Sequence, residues 1–254
     1  MVFDQTPYSC RVEWGRRGAR EAAERGDIVI IVDVLSFSST VISALEMGAV
    51  IFPYPPHLDG EEYANIVKAE YILGRAEASK RGKATLSPVS FSHEHANKKF
   101  VLSSMNGSFC TWIAKKTQAV LVGGILNAEA VASVANQISK QRKASITIIP
   151  CGEQWNETRE YEDTLRPAVE DYLGAGAILS YLGGDKSPEA KICMAGFLSV
   201  REKIEDVIWE CGSGRELRER GFDADVKHCI RLNTYKTVPM LQDGYFVDVR
   251  KYFT

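Results

Sequence analysis

The chain has little of what would assign it quickly. No C-x-x-C pair occurs among Cys10, Cys110, Cys151, Cys193, Cys211 and Cys229, so neither a zinc site nor a disulfide framework is expected. Buried, reduced thiols of a cytoplasmic protein fit better. His57, His93, His95 and His228 have no metal-ligand spacing. No Walker loop is present, and Gly174-x-Gly176 lacks the third glycine and the preceding strand of a dinucleotide fingerprint. The most apolar stretch, Ile28 to Leu35, is interrupted by Asp33 and falls far short of the roughly 20 residues that a membrane span needs. Met1-Val2-Phe3-Asp4-Gln5 shows no basic region followed by an apolar one, and no signal peptide is expected. A formal net charge of -2 argues against a nucleic-acid surface, which calls for clustered Lys and Arg.

What is present is ordinary globular material, 254 residues with 45% hydrophobic and 25% charged side chains. Such a length can bury a large core in one domain or divide into two small ones, and with no Pro/Gly/Ser-rich linker one domain is the simpler reading. Apolar, β-branched runs at Ile28–Leu35, Val50–Tyr54, Phe100–Ser104, Ala119–Gly123 and Ser145–Pro150 read as strands. Helical periodicity lies between them at Ser39–Met47, Glu61–Tyr71, Phe109–Lys116 and Ala128–Lys140. This alternation predicts an α/β fold, a three-layer α/β/α single domain over residues 1–254 with a mixed, mostly parallel sheet. After Pro150 the pattern turns helical, at Pro167–Tyr181, Pro188–Val200 and Gly214–Arg220. Ser187-Pro188 supplies a cap and a proline at the first helical position, and Ser213 to Glu216 has capping-box spacing. The tail from Val238 to Arg250 reads as one or two strands around the turn dipeptide Asp243-Gly244.

Candidate chemistry sits at strand ends. Asp33 closes the strongest strand, at the edge where parallel sheets bind ligands, and a charge there needs a partner or a metal. The hydroxyls of Ser38, Ser39 and Thr40 open the following helix, whose amino end favours anions. Asn106-Gly107-Ser108 has the same strand-to-helix placement, as does Gly123 to Asn127. Glu170-Asp171 precedes a run of small residues, Gly174 to Ala177. Adjacent helical residues point about 100° apart, so one of these two carboxylates can face a pocket. Mg²⁺ is usually held by one or two carboxylates together with substrate oxygens and water.

In this order the segments resemble the 2-phosphosulfolactate phosphatase family, named for a step in coenzyme M synthesis. The pieces are Val32-Asp33-Val34-Leu35, Leu86-Ser87-Pro88, Asn106-Gly107-Ser108, Leu126-Asn127-Ala128, Pro150-Cys151-Gly152, Glu170-Asp171, Ser213-Gly214 and Asp225-Val226. The resemblance implies Mg²⁺ as cofactor and a small anionic phosphoester substrate whose phosphate neighbours a sulfonate and a carboxylate. Carried onto this chain, it points to Asp33, Asn106, Glu170 and Asp171 as polar pocket residues. We expect Asp33, Asn106 and Glu170 to be catalytic, with Asp33, Glu170 and Asp171 as metal ligands. Ser38, Ser39, Thr40, Gly107, Ser108, Asn127 and Arg166 are expected to bind substrate. No membrane or nucleic-acid partner is expected, and a homodimer is left open.

One departure bears on specificity. The family pattern has arginine after Val-Asp-Val-Leu, and Ser36 stands there. Serine cannot clamp an anion through paired hydrogen bonds as arginine does. Arg166, just before Glu170, is expected to take that role. Three other chemistries compete. A non-catalytic binding protein for an anionic metabolite would keep the fold without turnover. A haloacid-dehalogenase-type nucleophile would need a second aspartate two residues beyond Asp33, where Leu35 stands. A hydrolase or lyase acting through Cys151 would need a histidine that no motif supplies.

Overall fold

The computed structural model describes residues 4–72 and 84–253. Strands β1 (Cys10–Val12), β2 (Ile28–Val32), β6 (Ala119–Gly123) and β7 (Ile146–Pro150) form a parallel block in the order β1-β7-β2-β6. Strands β3 (Val50–Tyr54), β4 (Glu70–Tyr71) and β5 (Lys99–Ser103) form a second parallel block, β3-β5-β4. The late hairpin β10 (Pro239–Gln242) and β11 (Tyr245–Asp248) joins them, antiparallel to β6 on one side and to β3 on the other. The result is one nine-stranded, mixed and mostly parallel sheet in an α/β fold. β2 is buried along its whole length, as a central parallel strand covered on both faces must be.

Helix α1 (Gly15–Glu24), α2 (Phe37–Glu46), α3 (Gly60–Val67), α4 (Gly107–Ala114) and α5 (Ala128–Arg142) alternate with the strands. They are followed by α6 (Val169–Tyr181), α7 (Pro188–Val200), α8 (Ile204–Glu210), α9 (Gly212–Glu219) and α10 (Asp223–Cys229). Alternate residues of β2 feed two cores. Ile28, Ile30 and Val32 pack with α5, α6 and α7, whereas Val29 and Ile31 join Phe37, Val41, Phe100, Leu102 and Phe246. That second core holds residues of both strand blocks with α2 between them. Every residue of α2 from Phe37 to Ala44 is buried, which is why its sequence is apolar or small all round.

Several boundaries differ from the sequence reading, each for a local reason. β2 stops at Val32 because Asp33 starts a turn, its carbonyl accepting from Ser38 N at 2.8 Å. The helix expected to run to Tyr71 ends at Lys68, which turns left-handed at φ 55°, and Glu70–Tyr71 pair with β5 instead. The cap of α9 is Cys211 rather than Ser213, its sulfur accepting from Gly214 N at 3.4 Å. Ser187 does cap α7, accepting from Ala190 N at 3.0 Å. The turn at Asp243-Gly244 carries positive φ at both residues, as a tight hairpin requires. No helix among the described residues is long and apolar enough to cross a membrane.

Candidate active site

The carboxyl ends of β2, β5 and β7 bring their loops together although β5 belongs to the opposite block. Asp33 is the meeting point. One carboxylate oxygen accepts from Phe37 N at 3.0 Å, at the start of α2, and the other from Gly107 N at 2.9 Å, at the start of α4. Helix amino ends favour negative charge, and here two of them address the same buried carboxylate. Two of the N–H groups at the helix starts that the sequence singled out, those of Phe37 and Gly107, are therefore taken by Asp33 itself. Gly107 is required by packing as well, since a β-carbon there would run into the Phe37 ring.

Asp171 is held in the same manner. Its oxygens accept from Val34 N at 2.7 Å and Gly152 N at 2.9 Å, tying α6 to the loops after β2 and β7. Burial and the charges of Asp33 and Glu170 push its pKa well above the usual range, against the pull of the Val34 bond. Glu170 is buried beside it and accepts from the Cys211 thiol at 3.3 Å.

Glu153 was not found by motif reading. It lies on a small hairpin, β8 (Glu153–Gln154) with β9 (Leu165–Arg166), in which Glu153 pairs with Arg166 and Gln154 with Leu165. Asn106 donates to Glu153 at 2.9 Å and so ties the hairpin to the start of α4. Burial, then the charges of Asp33 and Glu170, push Glu153 up to about 8; the Asn106 bond and Arg166 oppose this. The available signal was its position just after β7, the same strand-end logic that singled out Asp33.

The remaining expected residues divide by what their polar atoms do. Arg166 is brought to the cluster, donating to Ser213 at 3.2 Å. Ser38 accepts from Asp33 N at 2.9 Å and donates to Ile31 O at 3.2 Å, while Ser39 donates to Val34 O at 2.8 Å. Both hydroxyls thus hold the loop that presents Asp33. The Thr40 hydroxyl is buried and has no hydrogen-bond partner among the described residues. Ser108 bonds to Ser104 and to Tyr54 O, bracing the loop after β5. Asn127 holds Gly124 N, Val122 O and Thr237 O, a buried brace between β6 and the segment leading into β10. Ser87 and Asp225, from two separate motif pieces, meet at 2.5 Å.

Fold and site together define an α/β enzyme with an acidic cluster at the carboxyl ends of its strands and Arg166 beside it. Residues 17–244 match 2-phosphosulpholactate phosphatase, and the chain belongs to that family, among the phosphoric monoester hydrolases. It is 28% identical to the 2-phosphosulfolactate phosphatase of Methanothermobacter thermautotrophicus, covering 88% of this chain and 91% of that protein. It is 27% identical to a probable 2-phosphosulfolactate phosphatase of Carboxydothermus hydrogenoformans, over 86% and 89% of the two chains. A probable 2-phosphosulfolactate phosphatase of Thermus thermophilus is 26% identical, over 85% and 88%.

Proposed function

We propose that the chain is a Mg²⁺-dependent phosphatase of a small acidic phosphoester, with 2-phosphosulfolactate as the substrate to test first. The observation that carries this is the Asp33 carboxylate, clamped by two helix starts and placed among Glu153, Glu170, Asp171 and Arg166. The relatives' names supply the substrate, and the family resemblance adds a place in coenzyme M synthesis. A cytoplasmic location belongs to the same reading, supported by the free, buried thiols of Cys10, Cys110, Cys151 and Cys193.

The donor set suits the cation. All its ligand atoms are carboxylate oxygens, the preference of a hard ion. Their crowding, read in the raised Glu153 and Asp171, is the kind that a bound dication relieves. Among the described residues no three side chains of ligand type converge as a complete cage. The protein would then supply one or two carboxylates, Asp33 and Glu170, and leave the other positions to water and substrate, as Mg²⁺ sites commonly do. Asp171, tied at both oxygens just as Asp33 is, would face the same cation and also fix the loops that carry the ligands. Mg²⁺ bound there would neutralise phosphoryl charge and polarise the phosphate for attack.

The chain's own groups divide the remaining work. Arg166 holds the second anionic group of the substrate, replacing the arginine that Ser36 lacks. Asn106 orients Glu153, which would take a proton from the attacking water. Water oxygen bonds to phosphorus as the ester oxygen leaves with its electron pair. Exhaustive EDTA dialysis should abolish phosphate release from 2-phosphosulfolactate, and added Mg²⁺ should restore it without refolding; full activity after dialysis refutes the metal assignment.

Arg166 sets a further expectation. A hydrogen bond to a charged group contributes about 1.5–3 kcal/mol, so Arg166→Ala should lower kcat/KM for 2-phosphosulfolactate by roughly ten- to a hundredfold or somewhat more. Hydrolysis of p-nitrophenyl phosphate, which lacks the second anion, should fall much less. Equal losses on both would put Arg166 at the phosphate, and no loss on either would remove it from the site.

A further inference from the structure

We infer that the turn Cys211-Gly212-Ser213-Gly214, which opens α9, is a positioning element that fixes Glu170 and Arg166 together. The inference rests on the catalytic reading above and adds residues that touch neither phosphate nor water. Two hydrogen bonds carry it, both from distant parts of the chain. The Cys211 thiol donates to Glu170 Oε2 at 3.3 Å across a separation of 41 residues. The Ser213 hydroxyl oxygen accepts from Arg166 Nη2 at 3.2 Å across 47 residues. One turn therefore orients an acid on the first turn of α6 and a base on β9.

The turn is itself rigidly held. Cys211 Sγ also accepts from Gly214 N at 3.4 Å, so the thiol serves as helix cap and carboxylate donor at once. A β-carbon on Gly214 would run into the carbonyl oxygen of Ile208, so only glycine lets α9 approach the end of α8 this closely. A β-carbon on Gly212 would lie 3.5 Å from Arg166 Nη1, which places the guanidinium along the turn rather than at its tip. Ser213 is buried, so the acceptor end of its half-buried bond to Arg166 is held inside the protein.

An arginine side chain has considerable rotamer freedom when unpinned. Ser213 supplies the acceptor that selects one orientation, and Cys211 does the same for Glu170. The two bonds act on different steps, because Arg166 meets the second anion whereas Glu170 acts at the phosphate. Their loss should accordingly appear in different kinetic constants.

The test uses the full chain with Mg²⁺ and two substrates, 2-phosphosulfolactate and p-nitrophenyl phosphate. Ser213→Ala should raise KM for 2-phosphosulfolactate roughly three- to tenfold, the range of one ordinary hydrogen bond, with kcat and p-nitrophenyl phosphate hydrolysis little changed. Cys211→Ala should lower kcat on both substrates by a similar factor, and Cys211→Ser, which keeps a donor and a cap, should recover most of it. Calorimetric binding of 2-phosphosulfolactate without Mg²⁺ reads the Ser213 effect independently of turnover. Wild-type protein that binds 2-phosphosulfolactate but hydrolyses neither ester refutes the catalytic reading, while weaker binding by Ser213→Ala still supports the turn. Unchanged constants in both alanine variants, or a uniform loss that Cys211→Ser does not recover, overturn the positioning role. Wild-type protein that neither binds nor turns over 2-phosphosulfolactate overturns both.

Discussion

Asp33→Asn lowers kcat on 2-phosphosulfolactate by about a hundredfold or more, because it removes charge from a group proposed to hold the cation at the phosphate. The fold survives, at a cost that the geometry specifies. Both carboxylate oxygens accept backbone N–H groups, from Phe37 and from Gly107. Asparagine keeps one acceptor and turns an NH₂ group toward the other N–H, so one buried donor loses its partner. That costs about 1–3 kcal/mol, enough to shift the melting temperature without unfolding the chain at room temperature. Asp171→Asn meets the same constraint at Val34 and Gly152, whereas Glu170→Gln keeps an acceptor for the Cys211 thiol. Glu170→Gln thus gives the cleaner separation of catalysis from stability. Near-normal turnover in Asp33→Asn and Glu170→Gln, with circular dichroism unchanged, would move the site elsewhere.

The strands and helices were readable because each is set by periodicity over its own few residues. Ile28 to Val32 is uniformly apolar, Pro188 follows a capping serine, and Asp243-Gly244 marks its hairpin. β1 escaped because three residues, Cys10-Arg11-Val12, carry no period. The opposed direction of the two parallel blocks escaped because it depends on where the last hairpin inserts, between β6 and β3. No local pattern encodes that choice. At the site, Asp33 and Glu170-Asp171 announced themselves as charges in apolar surroundings. The sequence marks strand-to-helix junctions but not which side chain crosses from one to another. Phe37 N and Gly107 N looked available to a phosphate, and a carboxylate of the protein takes them. Ser38, Ser39 and Ser108 looked like ligand donors, and their bonds brace the loops. Glu153 was hidden in a polar stretch, where a glutamate draws no notice until Asn106 and Arg166 are placed around it.

Glu153 gives the second large effect, on stability against pH. Its pKa in the folded protein without added cation rises from an ordinary 4.5 to about 8, through burial and the neighbouring charges of Asp33 and Glu170. A carboxyl whose folded pKa exceeds its unfolded value keeps its proton longer in the native state. Between about pH 4.5 and 8 the native state then binds more protons than the unfolded one, and stability falls as pH rises. The contribution is fully present below pH 4.5 and is lost on passing through about 8. The raised pKa of Asp171 acts with the same sign, while Arg166 and the Asn106 bond moderate the effect at Glu153. The loss amounts to a few kcal/mol at order of magnitude, or roughly 5–15 °C of melting temperature for a chain of this size. The metal-free protein should therefore melt progressively lower from pH 5 to 8.5. Saturating Mg²⁺ should flatten that slope, since a ligand that binds only the native ionised site stabilises it by mass action. Glu153→Gln removes the titrating group while keeping an acceptor for Asn106, and should abolish much of the slope without Mg²⁺, leaving the part due to Asp171. Differential scanning calorimetry of EDTA-treated wild type and Glu153→Gln across that range decides the matter. A flat wild-type profile, or one that Glu153→Gln does not change, removes Glu153 from the acidic cluster.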